Sequence, residues 1–528
     1  MTLDGSSSPV PTPAPGSTPA DVGSMAEDAA EHQHPVLRRL QGDGAVGTAV
    51  RRGALWAAGS RVVSQLLQFL GLIVSARLLV PSDYGSAAVV APVLAFGGLF
   101  ANLGMASAVI HARRVTEELL STAFWMCAAA AVVLTSAVAG LAVPLSRLYD
   151  VPTLAPLLLL ASLLFVINLS SVHLALLERT LRFKTVALIE TGAVVLAVLT
   201  IIGTAAAGAG PFSLVWGPLV NQAATTVGVW AAVRWRPHVR PDRDSARQLW
   251  AYSRGLTGFR LLNFWSHNAD NLLLARVVSL AELGNYNRAY NLMKLPVIQT
   301  TTLMGRVLFP ALSRLRDDRA RLGQAWLRAL SLTGALTAPL TLGMAVTAPA
   351  FIEVLFGRRW LGMVTVLQLL AVSALPQTLS ATAGGLLQAV GATNTLFRTG
   401  VVTSTLSVSA ILLGLRWGTV GVATALMVKF YLEVYICLRP CLPELQLRWS
   451  DLVRATRGVW LACLAMAAVG VLVRAGVPGG LPAAQVLIAQ VAACGVTYTA
   501  VLWWVDRRSL LLLLQLFGRL RRPGGLAA

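Results

Sequence analysis

The chain is 528 residues long, 56% hydrophobic and only 12% charged, too little charged surface for a water-soluble globule of this size. Its formal net charge of +20 would suit nucleic acid on a soluble protein, but the basic residues fall between long apolar runs, so they read as loop charges and no nucleic-acid partner is needed. The five cysteines (Cys127, Cys437, Cys441, Cys463, Cys494) lie in or beside those runs without metal-ligand spacing, which implies no metal site, no cofactor and no disulfide framework.

Residues 1–45 are rich in Pro, Ser, Ala and Gly. Such a composition cannot bury a core and predicts a disordered cytoplasmic tail. No basic segment precedes an apolar one near the start, so a signal peptide is not expected. His32 and His34 in this tail read as solvated.

Apolar stretches of about 20 residues then recur, each long enough to cross a hydrocarbon core of roughly 30 Å. They fall at 54–80, 86–110, 120–143, 154–177, 185–207, 211–233, 252–276, 287–311, 325–347, 363–390, 396–415, 419–438, 457–474 and 482–505. The expected fold is an all-α polytopic membrane protein with about fourteen transmembrane helices. If both termini are cytoplasmic, the arginine-rich loops at 113–114, 179–184, 234–247, 314–321 and 439–457 are all inside, with the basic tail 506–528. That is the asymmetry of the positive-inside rule.

A repeat is visible at the ends of the first and seventh spans. Ala76, Arg77, Asp83 and Gly85 match Ala275, Arg276, Glu282 and Gly284 at one constant offset. The repeat divides the chain into an N-terminal lobe, 46–250, and a C-terminal lobe, 251–505. Repeated halves are a common architecture of alternating-access transporters, so the fold expected is two pseudo-symmetric bundles around a central cavity.

Several polar residues interrupt the spans. A charge at mid-bilayer costs about 2.5–3.5 kcal/mol on insertion scales, so buried cations need a cavity or a partner. Arg61, Ser64, Gln65 and Gln68 share one face of the first span. Arg260, Asn263, His267, Asp270 and Asn271 share a face of the seventh, and Asn287, Asn291, Lys294 and Thr301 one of the eighth. Such stripes fit a hydrated, cationic cavity; interhelical bonding, with Arg260 paired to Asp270, is the plainer reading. Lys429 and Glu433 are spaced for a local ion pair. Glu190 is a lone acid in the fifth span.

None of the three lysines follows a glycine, there is no HExxH, and the outer loops are short. A P-loop motor and a catalytic outer domain are therefore not expected, and neither is an enzyme. A membrane polymerase or ligase of lipid-linked glycans remains the rival from another class. A drug or small-molecule antiporter is the rival transporter.

The stretch ARLLVPSDYGSAAVV followed by LFANLGMASAVIHA, and later NADNLLLARVVSLAELGNYNRAYNLMKLP, resembles the Wzx-type polysaccharide flippases of the multidrug/oligosaccharidyl-lipid/polysaccharide (MOP) superfamily. The resemblance runs from about residue 50 to 440; the Pro-rich tail is not part of it. It implies a bacterial inner-membrane protein that moves an undecaprenyl-pyrophosphate-linked oligosaccharide from the inner to the outer leaflet. Partners implied are that lipid-linked oligosaccharide, H+ or Na+ as coupling ion, and glycan polymerase and export machinery. On this reading Arg61, Arg260 and Lys294 attract the pyrophosphate. Gln65, Gln68, Asn263 and Asn271 contact sugar hydroxyls, with His267 and Asn291 on the same stripes. Asp270 either orients Arg260 or responds to protonation.

Overall fold

The structure is a computed structural model that describes residues 46–101, 109–110, 115–238, 240–477, 481–507 and 510–511. Within it the side chains of 46–55, 101, 248, 251–263, 265–267, 303 and 306–311 are outside the description. The expected tail 1–45, and most of 506–528, lie outside the described residues.

The described residues are helices joined by short links. In chain order they are α1 (Val46–Leu78), α2 (Pro81–Ala101), α3 (Glu117–Tyr149), α4 (Leu154–Ile167), α5 (Ser171–Arg179), α6 (Phe183–Ala206) and α7 (Ser213–Val233). Then come α8 (Arg243–Val277), α9 (Leu280–Arg314), α10 (Arg319–Leu355), α11 (Val364–Ala389), α12 (Thr393–Gly414) and α13 (Gly418–Leu438). A helical turn, Cys441–Glu444, leads to α14 (Trp449–Gly476) and α15 (Ala483–Val505). Among the described residues nine stretches are long and apolar enough to cross a membrane, or ten with the bent pair α4–α5. Their outward faces carry exposed Leu66, Leu70, Val133, Leu199, Leu472 and Ile488. Such a surface suits lipid rather than water: the protein is a multi-pass membrane protein.

Local chemistry explains where helices start. Ser279 caps α9 by accepting from the Glu282 N–H, while the Glu282 carboxylate accepts from the Ser279 N–H, a reciprocal capping box. At the start of α2, Asp83 accepts from the Val80 N–H at 3.1 Å, and Pro81 takes the first helical position, where its missing N–H costs nothing. The α1 and α8 ends (Leu78, Val277) and the α2 and α9 starts (Pro81, Leu280) keep the offset of the four sequence matches. The order of elements also recurs: single 3-10 turns, Gly210–Phe212 and Leu415–Trp417, precede α7 and α13.

The α4–α5 pair bends by 41°, which would leave backbone groups unsatisfied within an apolar layer. Three side chains of α7, spaced one turn apart, cover the break. Gln222 donates to Asn168 Oδ1 and Ser170 Oγ, Thr226 to the Ile167 carbonyl, and Trp230 to the Leu169 carbonyl.

Burial is divided unevenly between the ends of the molecule. One apolar cluster, with Tyr84, Leu154, Phe165, Tyr286, Ile352, Trp360 and Val422, draws on both halves. A second, around Phe124, Leu176 and Trp235, belongs to the first half and includes Leu249 at the start of α8. A third, around Trp326, Leu386, Leu445 and Tyr498, belongs to the second half and to α14–α15. The halves thus share a core at the end where α1 turns into α2 and α8 into α9. They keep separate cores at the other end.

Helix α8 runs between the halves, packing on α2 and α3 of the first and on α12 of the second. Helix α1 behaves differently. It lies along α6 of its own half, and its last turn reaches the other half, where Arg77 donates to the Val354 and Leu355 carbonyls and Ala76 accepts from Trp360 Nε1.

Candidate functional site

Beneath the shared core a cavity of about 270 Å³ opens between the halves. The first half supplies Tyr84, Ala87, Ala88, Ala91 and Pro92 from α2, with Leu214 from α7; the second supplies Asn268 and Asn271 from α8 and Asn287, Arg288, Tyr290, Asn291 and Lys294 from α9. The three alanines of α2 leave the room, and the polar groups come from α8 and α9. Asn287 donates to Asn271 Oδ1 at 3.1 Å and Asn291 donates to Asn287 Oδ1 at 2.9 Å, so the amides form a chain along one wall.

Two cations stand in this wall. The Arg288 guanidinium lies over the Tyr84 ring, 3.8 Å from its centroid, and its buried Nε has no hydrogen-bond partner. No carboxylate among the described residues pairs with it. The Lys294 ammonium sits over the Tyr290 ring at 4.2 Å. Asp270 is 3% exposed and accepts from the Tyr286 hydroxyl at 2.9 Å and from the Asn271 N–H at 2.8 Å. Lys294 is near enough for its charge to act on Asp270, yet the two make no ion-pair contact. An arginine with a buried, unpartnered Nε and no acid needs an anion or water to complete its shell. The arrangement is therefore suited to a bound anion, with amides beside it to meet hydroxyls.

A larger cavity, about 570 Å³, lies within the second half between α9, α11, α12 and α13. Asp270 and Tyr290 stand in its wall too. Lys429 and Glu433 line it and form the ion pair their spacing predicts.

Of the ten residues singled out in the sequence, Asn271, Asn291 and Lys294 line the inter-half cavity, and Asp270 stands beside it. Arg61, Gln65 and Gln68 are not brought to it. Arg61 and Gln68 are exposed and Gln65 is half-buried on α1. Glu190 on α6 lies close enough for its charge to interact with Arg61, and Ser64 and Thr191 hydroxyls meet at 3.4 Å nearby. Arg260, Asn263 and His267 lie on α8, but their side chains are outside the described residues, as is the pairing of Arg260 with Asp270. Arg288 was missed. It follows Asn287 by one residue, about 100° around the helix, and a stripe drawn through Asn287, Asn291 and Lys294 passes it by. Its signal was an arginine two turns into a capped helix with no acid one turn to either side.

The same fold is found in solved structures of membrane transporters. The structure matches the lipid II flippase MurJ in an inward closed conformation with a TM-score of 0.69 at 13% identity, over 86% of this chain and 99% of that one. It matches an inward-facing multidrug resistance MATE family transporter of the MOP superfamily with a TM-score of 0.53 at 15% identity, over 72% of this chain and 95% of that one. Residues 74–365 match the polysaccharide biosynthesis protein family, and the chain belongs to that family. The lipopolysaccharide biosynthesis protein WzxC of Escherichia coli (strain K12) is 27% identical over 398 residues, 74% of this chain and 81% of its own length. The succinoglycan biosynthesis transport protein ExoT of Rhizobium meliloti (strain 1021) is 28% identical over 331 residues, 61% of this chain and 66% of its own.

Proposed function

We propose that this protein is a flippase that carries a saccharide linked to a polyprenyl pyrophosphate from the inner to the outer leaflet of the cytoplasmic membrane, within polysaccharide biosynthesis. The observation that carries the proposal is Arg288, a half-buried arginine with a buried, unpartnered Nε and no acid beside it, in a cavity between the halves. A diphosphate is the anion whose geometry a guanidinium fork matches, and its attraction is strong where water is scarce. The Asn268, Asn271, Asn287 and Asn291 amides along the same wall suit the hydroxyls of the first sugars. The same cations disfavour a cationic drug as substrate.

On this reading the chain has fourteen spans in two lobes, 46–250 and 251–505, with both termini in the cytoplasm. The site is reached from the cytoplasmic end, where the halves keep separate cores, and is closed at the outer end by the shared one. Transport is alternating access driven by H+ or Na+, with Asp270 the buried acid best placed to respond to the ion, and the product passes to a polymerase. The test is glycan export in cells relying on this protein. Arg288→Gln abolishes export and Arg288→Lys reduces it, with insertion unchanged in both. Normal export by Arg288→Gln overturns the assignment.

A further inference from the structure

The cation of the proposed anion site belongs to one half of the molecule and its support to the other. Arg288 is on α9; the ring beneath it, Tyr84, is on α2. Tyr84 is 3% exposed and is held on two sides. Its hydroxyl donates to Ser75 Oγ at 2.8 Å, at the end of α1. The Trp360 ring packs against it edge to face, with centroids 5.1 Å apart, and Trp360 is itself tied to the Ala76 carbonyl at 2.8 Å. The ring face that meets the guanidinium is therefore fixed in the shared core.

A ring over the guanidinium's face does not compete for the hydrogen-bond donors on its edge. All five N–H donors lie in that edge, and the Arg288 Nε has no partner. The ring thus lowers the cost of a desolvated cation without competing for the groups an anion needs.

We propose that Tyr84 is a positioning residue for the anion site: its ring holds the Arg288 guanidinium in the cavity, so the site is complete only while the shared ends of the two halves are closed together. The inference rests on the reading of Arg288 as the pyrophosphate ligand. Its physical basis is the seam next to Tyr84. A Cβ on Gly85 would stand 1.9 Å from the Leu280 carbonyl oxygen, so the α2 and α9 starts touch backbone to backbone. Arg288 is about two turns along α9 from Leu280. When the seam parts, α2 carries Tyr84 and the alanine wall away from Arg288, and the guanidinium loses its support and its enclosure together. The substrate is then held tightly in one state and loosely in the other, and this difference in affinity gives a transport cycle its release step.

The test uses the full chain in lipid nanodiscs with undecaprenyl pyrophosphate as the probe, and thermal unfolding as the control for folding. Tyr84→Phe keeps the ring and binds within about twofold of the natural protein, whereas Tyr84→Leu loses about tenfold, the scale of a desolvated cation–ring contact. In an Arg288→Gln background, Tyr84→Leu causes no further loss. Gly284→Ala parts the seam without touching either side chain and lowers binding by a similar factor, which keeps the question open to test if Tyr84→Leu does not fold. Equal losses for Phe and Leu, or a full additional loss in the Arg288→Gln background, mean that Tyr84 is only a piece of the core. Wild-type binding by Tyr84→Leu, with Arg288→Gln abolished, removes the positioning role and leaves the anion site intact. Wild-type binding by Arg288→Gln removes the anion site itself.

Discussion

Gly85 and Gly284 hold equivalent places in one reciprocal contact. A Cβ on Gly85 would stand 1.9 Å from the Leu280 carbonyl oxygen, and a Cβ on Gly284 would stand 1.9 Å from that of Pro81. Pro81 and Leu280 are the first residues of α2 and α9, so each glycine meets the other's helix start. A patch that contacts its own counterpart in this way marks a local two-fold relation. Neither contact has room for a side chain, because the obstacle is backbone. Gly85→Ala and Gly284→Ala are therefore expected to wedge the same seam and to lower export to similar extents, at least tenfold each, with both variants still inserted. Export assays on the two variants check this, and free tolerance of alanine at either position sinks the tight-seam account.

That relation was partly legible in the sequence. The four matches around Gly85 and Gly284 share one offset, and the helix ends keep it, because capping acids and turn glycines are local features that sequence records directly. Periodicity says which residues share a helix face, not which neighbour that face meets. The α1 stripe lies along α6, where Glu190 is close to Arg61, and the sequence places that acid far from Arg61. Arg288 escaped notice because its partner is an aromatic ring from the other half, a contact with no signature in either helix alone.

Topology gives a second prediction. The arginine-rich links near residues 240 and 317 lie at the end where the halves have separate cores. Asp83 and the Arg358–Met363 turn lie at the shared end. With positive loops retained inside, a single cysteine at 359 reacts with a membrane-impermeant reagent on intact cells, and one at 317 reacts only after permeabilisation. The reverse pattern overturns the orientation.

The start of α8 has its own pH dependence. Asp242 caps this helix, its carboxylate accepting from the Ser245 N–H at 2.8 Å, while its own N–H donates to Thr122 Oγ1 at 2.9 Å in the first half. Hydrogen bonds from the Ser245 backbone and hydroxyl hold the Asp242 carboxyl below the usual carboxylate range. A depressed acid stabilises the folded form above its ordinary range, and the contribution is lost as pH falls through the folded value. Protection of the amides around Ser245, measured against their intrinsic exchange rate at each pH, should therefore fall on acidification below the ordinary carboxylate range. Asp242→Asn keeps an acceptor at the cap and should remove the pH dependence; an unchanged profile in that variant assigns the effect to another group.

Lys294 and Asp270 pose a question that charge removal can decide. Asp270 is buried and bonded to Tyr286 and to the Asn271 N–H, and Lys294 is a cation whose charge acts on it. Lys294 also faces the inter-half cavity beside Asn291. Two roles follow, neutralising the acid or binding the substrate anion. If neutralisation is the role, Lys294→Gln strands a buried carboxylate, and adding Asp270→Asn restores export because no charge is left without a partner. If the ammonium attracts pyrophosphate, Lys294→Gln weakens binding of the lipid probe, and the second change does not recover it. Asn at 270 still accepts from the Tyr286 hydroxyl, so the helix pair keeps its contact. We expect no recovery in the double variant, because Lys294 rests on the Tyr290 ring rather than in contact with the carboxylate. Export and probe binding, measured side by side for both singles and the double, separate the two roles, and full recovery of both would assign Lys294 to Asp270 alone.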